Sequence, residues 1–351
     1  MKRFAALVLL ALWVFLACGA AEESDKGEPQ RLVITAVGDC TLGGDAQKGG
    51  SNEKFFQKFV DKYGYEYFLK NVKSIFENDD ITIVNLEGPL TSEKKHRSGR
   101  FIFRGAPDHV NILTCASVEV CNVANNHALD FLEAGFQETL KTLDEAGIGA
   151  SGYDVEYYMD IKGITVGFVG YSYRENKADQ MIAGAKKARE KCDLLIVSVH
   201  GGEENNYKMT SFMRTTTKKL VDVGADLVLC HHPHVYGPIL TYNGKYIVGS
   251  LGNFCFGGNY IPKDKDTQIF QQTFLIYPDG TIEDGGINLI PCSVSSEKAH
   301  NNFQPTPLEG KEAETLFNKF MKLSKLKVTD LNWMPGSYPE LAGLLPTEEA
   351  E

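Results

Sequence analysis

The sequence predicts an α/β protein in which two mixed sheets form a sandwich flanked by helices. Three observations predict it. Short apolar strands alternate with amphipathic helical stretches through most of the chain, and this alternation gives way to hairpins near the C-terminus. The polar residues able to do chemistry fall just after apolar strands, which in an α/β sheet are the C-terminal strand edges where ligands gather.

The elements run as follows. Residues 22–30 are polar, include Pro29 and read as a linker into a domain over 31–330. A strand over 32–37 ends on Gly38-Asp39, and a helical stretch covers 67–78. The strand 81–84 ends on Asn85-Leu86-Glu87-Gly88. Residues 101–104 are extended, and Pro107 opens a short helix. The strand 118–123 ends on Asn125-Asn126-His127, and the helix 132–146 stops at Gly147. Residues 159–161 and 164–169 form a hairpin around Lys162-Gly163, followed by a helix over 183–191. The buried strand 194–199 ends on His200. A helix over 210–223 leads to the strand 227–229, which ends on His231-His232-Pro233-His234. A second hairpin, 239–242 with 246–248, turns at Asn243-Gly244. Strands at 274–277 and 281–289 flank Pro278-Asp279-Gly280, a helix over 311–323 closes the domain, and the tail 331–351 is irregular, at least beyond Trp333. No internal repeat or low-complexity segment is present.

Composition narrows the partners. The 351 residues are 43% apolar and 23% charged, as in ordinary soluble globular proteins. The net charge is −10 and no basic stripe stands out along the chain, which argues against a nucleic-acid partner. An anionic substrate must be met by a local site, because the overall field repels it.

The N-terminus sets the compartment. Lys2 and Arg3 precede an apolar run over 4–17, small residues at Ala17, Gly19, Ala20 and Ala21, then a polar stretch, so 1–21 read as a signal peptide and the chain is expected to be exported. Phe15-Leu16-Ala17-Cys18 approximates a lipobox, which leaves lipidation of Cys18 and plain cleavage after Ala20 or Ala21 both open. Beyond it lie Cys40, Cys115, Cys121, Cys192, Cys230, Cys255 and Cys292. Their number is odd, no CxxC occurs, and several sit in or beside apolar runs, so buried free thiols are expected.

Asp39, Asn85, Glu87, Asn126, His127, His200, His232 and His234 all follow apolar strands, so five strand ends offer carboxylate, amide and imidazole groups to one rim. Each piece has a plain structural reading: Gly38-Asp39 as a turn, Asn125-Asn126-His127 as an Asx turn, His200 as a hydrogen-bonded loop residue. His232-Pro233-His234 is more specific, because Pro233 fixes φ between two imidazoles. Together these carboxylate and imidazole groups suit Zn, Mn or Fe at a hydrolytic site. Such an ion makes water nucleophilic at neutral pH.

Val37-Gly38-Asp39, Asn85-Leu86-Glu87-Gly88, Phe103-Arg104-Gly105-Ala106-Pro107, Ala124-Asn125-Asn126-His127-Ala128-Leu129-Asp130, Val199-His200-Gly201-Gly202-Glu203, His232-Pro233-His234-Val235 and Ser250-Leu251-Gly252-Asn253-Phe254 resemble, in order, the motifs of the CapA (poly-γ-glutamate capsule) family of the calcineurin-like metallophosphatase superfamily. The resemblance covers about residues 31–295. It implies a four-layer αββα, metallophosphatase-like sandwich and a link to synthesis, export or anchoring of an anionic cell-surface polymer. It also implies roles: Asp39, Glu87, Asn126, His200, His232 and His234 as metal ligands, and His127 as the acid toward the leaving group. Asn85, beside Glu87, competes with it for the ligand position and is otherwise a substrate contact. Arg104 can meet a phosphate or carboxylate through its bidentate fork, or be a surface arginine. There are departures. Thr41 stands where the superfamily's first motif has histidine, and Gly201 where the CapA family usually has tryptophan; His231 has no assigned role.

Two functions follow. One is a metal-dependent hydrolase acting on a phosphoester or on an amide of the polymer. The other is a non-catalytic subunit that holds the polymer or its precursor, or docks on a membrane synthase complex.

Overall fold

The computed structural model describes residues 26–47 and 51–345; the expected signal peptide, Cys18, the first part of the linker and the last residues of the tail lie outside the described residues.

The strands of the two sheets, in chain order, are β1 (Gln30–Thr41), β2 (Ile81–Leu86), β3 (Val120–Asn122), β4 (Gly149–Ser151), β5 (Tyr157–Ile161), β6 (Ile164–Ser172), β7 (Leu194–His200), β8 (Leu227–His231), β9 (Ile239–Tyr242), β10 (Lys245–Val248), β11 (Asn253–Phe256), β12 (Asp266–Ile276), β13 (Ile282–Ser293) and β14 (Thr306–Pro307). The longer helices are α1 (Ser51–Tyr63), α2 (Leu132–Glu145), α3 (Ala178–Arg189), α4 (Ser211–Asp222) and α5 (Gly310–Ser324). One sheet has the order β14-β13-β12-β1-β2-β3-β4, with β11 pairing the end of β1; the other has the order β9-β10-β8-β7-β6-β5. In each sheet the central strands run parallel and the hairpin strands lie at one side or both.

The layers follow from period-two alternation. In β7, Leu194 and Ile196 face the other sheet, whereas Leu195, Val197 and Val199 face α3 and α4; in β8, Leu227 and Leu229 point inward, Val228 and Cys230 outward. Leu32, Ile34, Ala36, Ile81 and Ile83 supply the opposite wall of the inter-sheet core. On the far side of the first sheet, Val84, Leu86 and Cys121 pack with Phe56 of α1 and Leu143 of α2. The architecture is therefore helices, sheet, sheet, helices, the four-layer αββα sandwich. Each fully buried Leu, Ile or Phe contributes about 1.5–3 kcal/mol to it. Helix α5 touches β13 of one sheet and β9 of the other, and its Phe317 and Met321 join the inter-sheet core.

This stacking puts the C-terminal ends of parallel strands from both sheets at one edge. Asp39 pairs in register with Asn85, Asn85 with Asn122, and His200 with His231. A register shift between Ala36 and Asp39 re-aims the end of β1. Gly38 is required there: a Cβ would stand 2.0 Å from the Gly252 carbonyl oxygen, where β11 closes on β1.

Several elements differ from expectation. The stretch 67–78 forms two short helices, Glu66–Leu69 and Lys73–Phe76. Helix α1 and strands β4, β11 and β14 were not anticipated, and β12 begins at Asp266, well before 274. The tail is not wholly irregular: a short helix, Tyr338–Leu341, follows Trp333, and the rings of Trp333 and Tyr338 pack on Phe317. All seven cysteines of the described residues are free, five of them buried.

Candidate metal centre

Asp39, at the end of β1, is fully buried. Its Oδ1 accepts a 2.7 Å hydrogen bond from Asn85 Nδ2, and its Oδ2 lies 3.1 Å from His234 Nδ1. Glu87 follows β2 and is also fully buried; its Oε1 lies 3.6 Å from His200 Nε2 and its Oε2 3.7 Å from His234 Nδ1. His200 ends β7, and its Nε2 is 2.6 Å from Asn126 Oδ1. The rings of His200 and His232 are 4.9 Å apart, those of His232 and His234 5.9 Å. His232 and His234 both have positive φ, 99° and 59°, a strained pair of conformations on either side of Pro233 that turns both imidazoles to the same place. The structure thus brings together Asp39, Asn85, Glu87, Asn126, His200, His232 and His234.

Asn85 and Glu87 take different parts. The Asn85 amide is spent within the protein: Nδ2 donates to Asp39 and lies 3.3 Å from His200 Nδ1, and Oδ1 accepts from Asn122 Nδ2 at 2.7 Å. It is fully buried, so it orients the two neighbouring side chains and does not face a substrate. Glu87 keeps both carboxylate oxygens free of hydrogen bonds.

That observation tests whether an ion fits. Six of the ten buried side-chain atoms without a hydrogen-bond partner among the described residues belong here: Asp39 Oδ2, both oxygens of Glu87, both ring nitrogens of His231 and Nδ1 of His232. Proteins leave few such atoms unsatisfied, and each costs about 1–3 kcal/mol. Carboxylate oxygens and imidazole lone pairs clustered in this way suit Zn, Mn or Fe. Ligand atoms of Glu87, His232 and His234 all lie within 4.8 Å of one another. Ligation also needs neutral imidazoles. Burial, with His232 nearby, pushes His200 well below the usual histidine range, and burial brings His231 and His232 down to about 4. Burial raises the Glu87 carboxyl well above its usual value. His234 behaves in the opposite way: burial opposes its charge, but Glu87 and Asp39 outweigh it and hold the ring up at about 10. In this state the His234 ring stands against two buried carboxyl groups, the part that a cation would take over.

His127 stands beside the cluster. Its Nδ1 is 2.7 Å from Asp130 Oδ2, and its ring packs on Phe103. With His234, Asn253, Phe256 and Arg100 it lines a cavity of about 450 Å3. Arg104 is elsewhere. Its guanidinium pairs with Glu53 at 2.7 Å, donates to the Glu93 carbonyl at 2.8 Å and lies over the Phe131 ring, beside a separate cavity of about 580 Å3. It does not line the His127 cavity.

Other residues of the site carried weaker signals. Asp130 lay three residues after His127 in a turn. Asn253, which accepts from His234 at 3.0 Å, lay in the motif over 250–254 without an assigned role, and Arg97, which binds the other oxygen of Asp130 at 2.6 Å, gave no signal. His231, whose Nδ1 is 3.6 Å from Asp39 Oδ1, is visible as a partner only through sheet register. A side chain at Gly201 would require Met213 and Tyr173 to shift, because a Cβ would lie 2.9 Å from Met213 Sδ and 3.0 Å from Tyr173. Tyr173 itself faces His232, ring to ring at 5.6 Å.

The chain belongs to the family described as bacterial capsule synthesis protein PGA_cap, which matches residues 33–258. It is 26% identical over 292 residues to the PGA biosynthesis protein CapA of Bacillus subtilis (strain 168), covering 76% of this chain and 74% of that protein. It is 27% identical over 303 residues to the capsule biosynthesis protein CapA of Bacillus anthracis, covering 76% and 69%. Among solved structures, a phosphatase of Mycoplasma pneumoniae superposes with a TM-score of 0.44 at 13% identity, covering 78% of this chain and 95% of that one.

Proposed function

We propose that this chain is an exported capsule-synthesis protein that hydrolyses a phosphoester or amide bond in an anionic surface polymer of the poly-γ-glutamate type, or in its precursor. Family membership and the CapA relatives support the polymer; the basic, apolar and small-residue N-terminal pattern supports export, with anchoring through Cys18 or release after Ala20 or Ala21. The observation that carries the hydrolytic reading is His127 held by Asp130 beside a cluster of buried ligand atoms without partners.

Asp39, Glu87, Asn126, His200, His232 and His234 would hold one or two divalent ions, which supply Lewis acidity and make water nucleophilic at neutral pH. Asn85 holds Asp39 and His200 in place. Asp130, on Nδ1, orients the ring and leaves His127 Nε2 to pass a proton to the leaving group. Phe103 and Phe256 give the cavity apolar walls that limit water around the reacting groups.

The test is turnover of a panel of phosphoesters and γ-glutamyl peptides with and without added Mn or Zn, for the native chain and for His127→Ala. Metal-dependent turnover that His127→Ala abolishes, at unchanged metal content, is expected. No turnover of any substrate by metal-loaded protein would overturn the catalytic reading in favour of a non-catalytic polymer-holding subunit of a membrane synthase.

A further inference from the structure

Residues 94–100 read Lys-Lys-His-Arg-Ser-Gly-Arg: four cations and a histidine within seven positions of a chain whose net charge is −10. This corrects the expectation that no basic stripe stands out. The segment is a loop, and it is held firmly at several points. Ser92 Oγ donates to Glu138 at 2.8 Å and the Glu93 carbonyl accepts from Arg104. Arg97 is the central anchor: its backbone N–H donates to the Asp130 carbonyl at 2.9 Å, and its guanidinium binds Asp130 Oδ1 at 2.6 Å and the Asn126 carbonyl at 2.5 Å. Gln47 donates to the Gly99 carbonyl at 2.8 Å. The loop is therefore tied to the backbone and carboxylate that place Asn126 and His127.

The remaining cations point outward. Lys94, Lys95 and Arg100 are exposed and form no ion pair among the described residues. Lys94 and His96 line the cavity that holds Arg104; Arg100 and Lys263 line the His127 cavity together with Glu204 and Asp264, so the excess of cations lies on the loop itself. Two large apolar side chains on the His127 cavity are also exposed, Phe101 at 43% and Ile261 at 68%. Exposed cations along one loop that contributes to both cavities, with apolar side chains beside them, suit a ligand that repeats carboxylates along an aliphatic spine. A small monoanion would use only one or two of these positions. Because the whole chain repels polyanions, attraction must be local, and an anchored loop delivers it at low ordering cost.

We propose that the loop 93–100 is the docking strap for a polycarboxylate chain, which it lays across the two cavities past His127. This rests on the capsule-polymer reading above, but not on its catalytic part. The test uses metal-free mature protein and fluorescein-labelled poly-γ-glutamate, with binding read by anisotropy. In Lys94→Glu/Lys95→Glu, binding at low salt weakens on the order of tenfold, since each exposed ion pair is worth only a few-fold and reversal adds repulsion. The difference between the two proteins closes near 0.5 M salt, where the screening length is about 4 Å. In Glu93→Lys, binding tightens, and this second variant reads the loop by a gain that misfolding cannot mimic. Unchanged affinity in both variants overturns the proposal. So does free glutamate competing as well as polymer at equal carboxylate concentration, or polyphosphate or single-stranded RNA binding as tightly as the polymer. Absence of hydrolysis would sink the catalytic reading alone, because nothing in this measurement depends on turnover.

Discussion

His127 Nδ1 lies 2.7 Å from Asp130 Oδ2, and that carboxylate is itself fixed by two further partners: the Phe103 backbone N–H donates to Oδ2 at 2.6 Å, and Arg97 holds Oδ1. Asp130 is fully buried. The pairing fixes which nitrogen of His127 faces the protein, and so which faces the cavity.

On the hydrolytic reading proposed above, replacing Asp130 with asparagine lowers kcat by about 10²–10⁴, the range that positioned acid–base groups contribute. Metal content stays at the native level, because Asp130 is not among the clustered ligands. Turnover measured beside elemental analysis checks this. Native kcat in Asp130→Asn would show that His127 needs no orienting partner.

Glu87 supports a second expectation. Its two oxygens are buried without hydrogen bonds, and burial raises its pKa well above the usual value. In chelator-stripped protein this carboxylate is a cost, so Glu87→Gln melts at the same temperature as the native chain or higher. With metal present the order reverses, and affinity falls by more than the roughly 10–100-fold that loss of an outer partner costs. Melting curves with and without chelator should cross between the two proteins. A Glu87→Gln protein destabilised equally in both conditions would mean that Glu87 serves packing only.

Much of the site was legible because strand ends can be read from sequence: an apolar run such as Leu194 to Val199 can only be buried, so His200 must emerge at its end. What was not legible arises from pairing across the chain. Arg97 and Asp130 are 33 residues apart, and nothing local links them. In the fold, the polar first half of β12 misled the reading. Thr267, Gln268, Gln271, Gln272 and Thr273 are buried, yet their composition reads as loop. They are tolerated because they bond residues of neighbouring segments: Gln271 donates to Thr35 at 3.0 Å and accepts from Asn288 at 2.9 Å, and Gln272 donates to Asp284. Helix α1 did leave a trace, Phe55, Phe56, Phe59 and Val60 at helical spacing, which the polar residues between them obscured.

Asp79 gives a pH signature away from the centre. Burial raises its carboxyl to about 7, against hydrogen bonds from Thr35 and Thr82 that act the other way. Between its ordinary value of 3.8 and about 7, the folded chain keeps a proton that the unfolded chain has released. Stability therefore falls as pH rises through that window and is flat above it. Partial exposure limits the effect to about 1–2 kcal/mol. Denaturation of Asp79→Asn at several pH values should lack this component of the slope; an identical slope in both proteins would exclude Asp79 as its source.

The last expectation concerns Thr41, where the family resemblance implies an imidazole. Thr41 Oγ1 donates to the Glu87 carbonyl at 2.9 Å, so its hydroxyl serves the backbone of a ligand residue. The cluster then has unequal halves. Asn126, His200 and His232 lie together on one side, with Glu87 Oε1 3.6 Å from His200. Asp39 and His234 form the other, with Glu87 Oε2 3.7 Å from His234. Among the described residues only His231, 3.6 Å from Asp39, offers this second half another imidazole, and it comes from a different strand. A position short of one ligand binds its ion more weakly. One ion should remain through purification, and a second should bind weakly on titration. Thr41→His tightens the second step. Thr41→Ala leaves the stoichiometry unchanged and lowers stability by about 1 kcal/mol, the value of one hydrogen bond. Calorimetric titration of the stripped proteins decides it. Two equally tight ions in the native chain would refute the inequality; if His231→Gln then removed one of them, His231 would be the imidazole that Thr41 lacks.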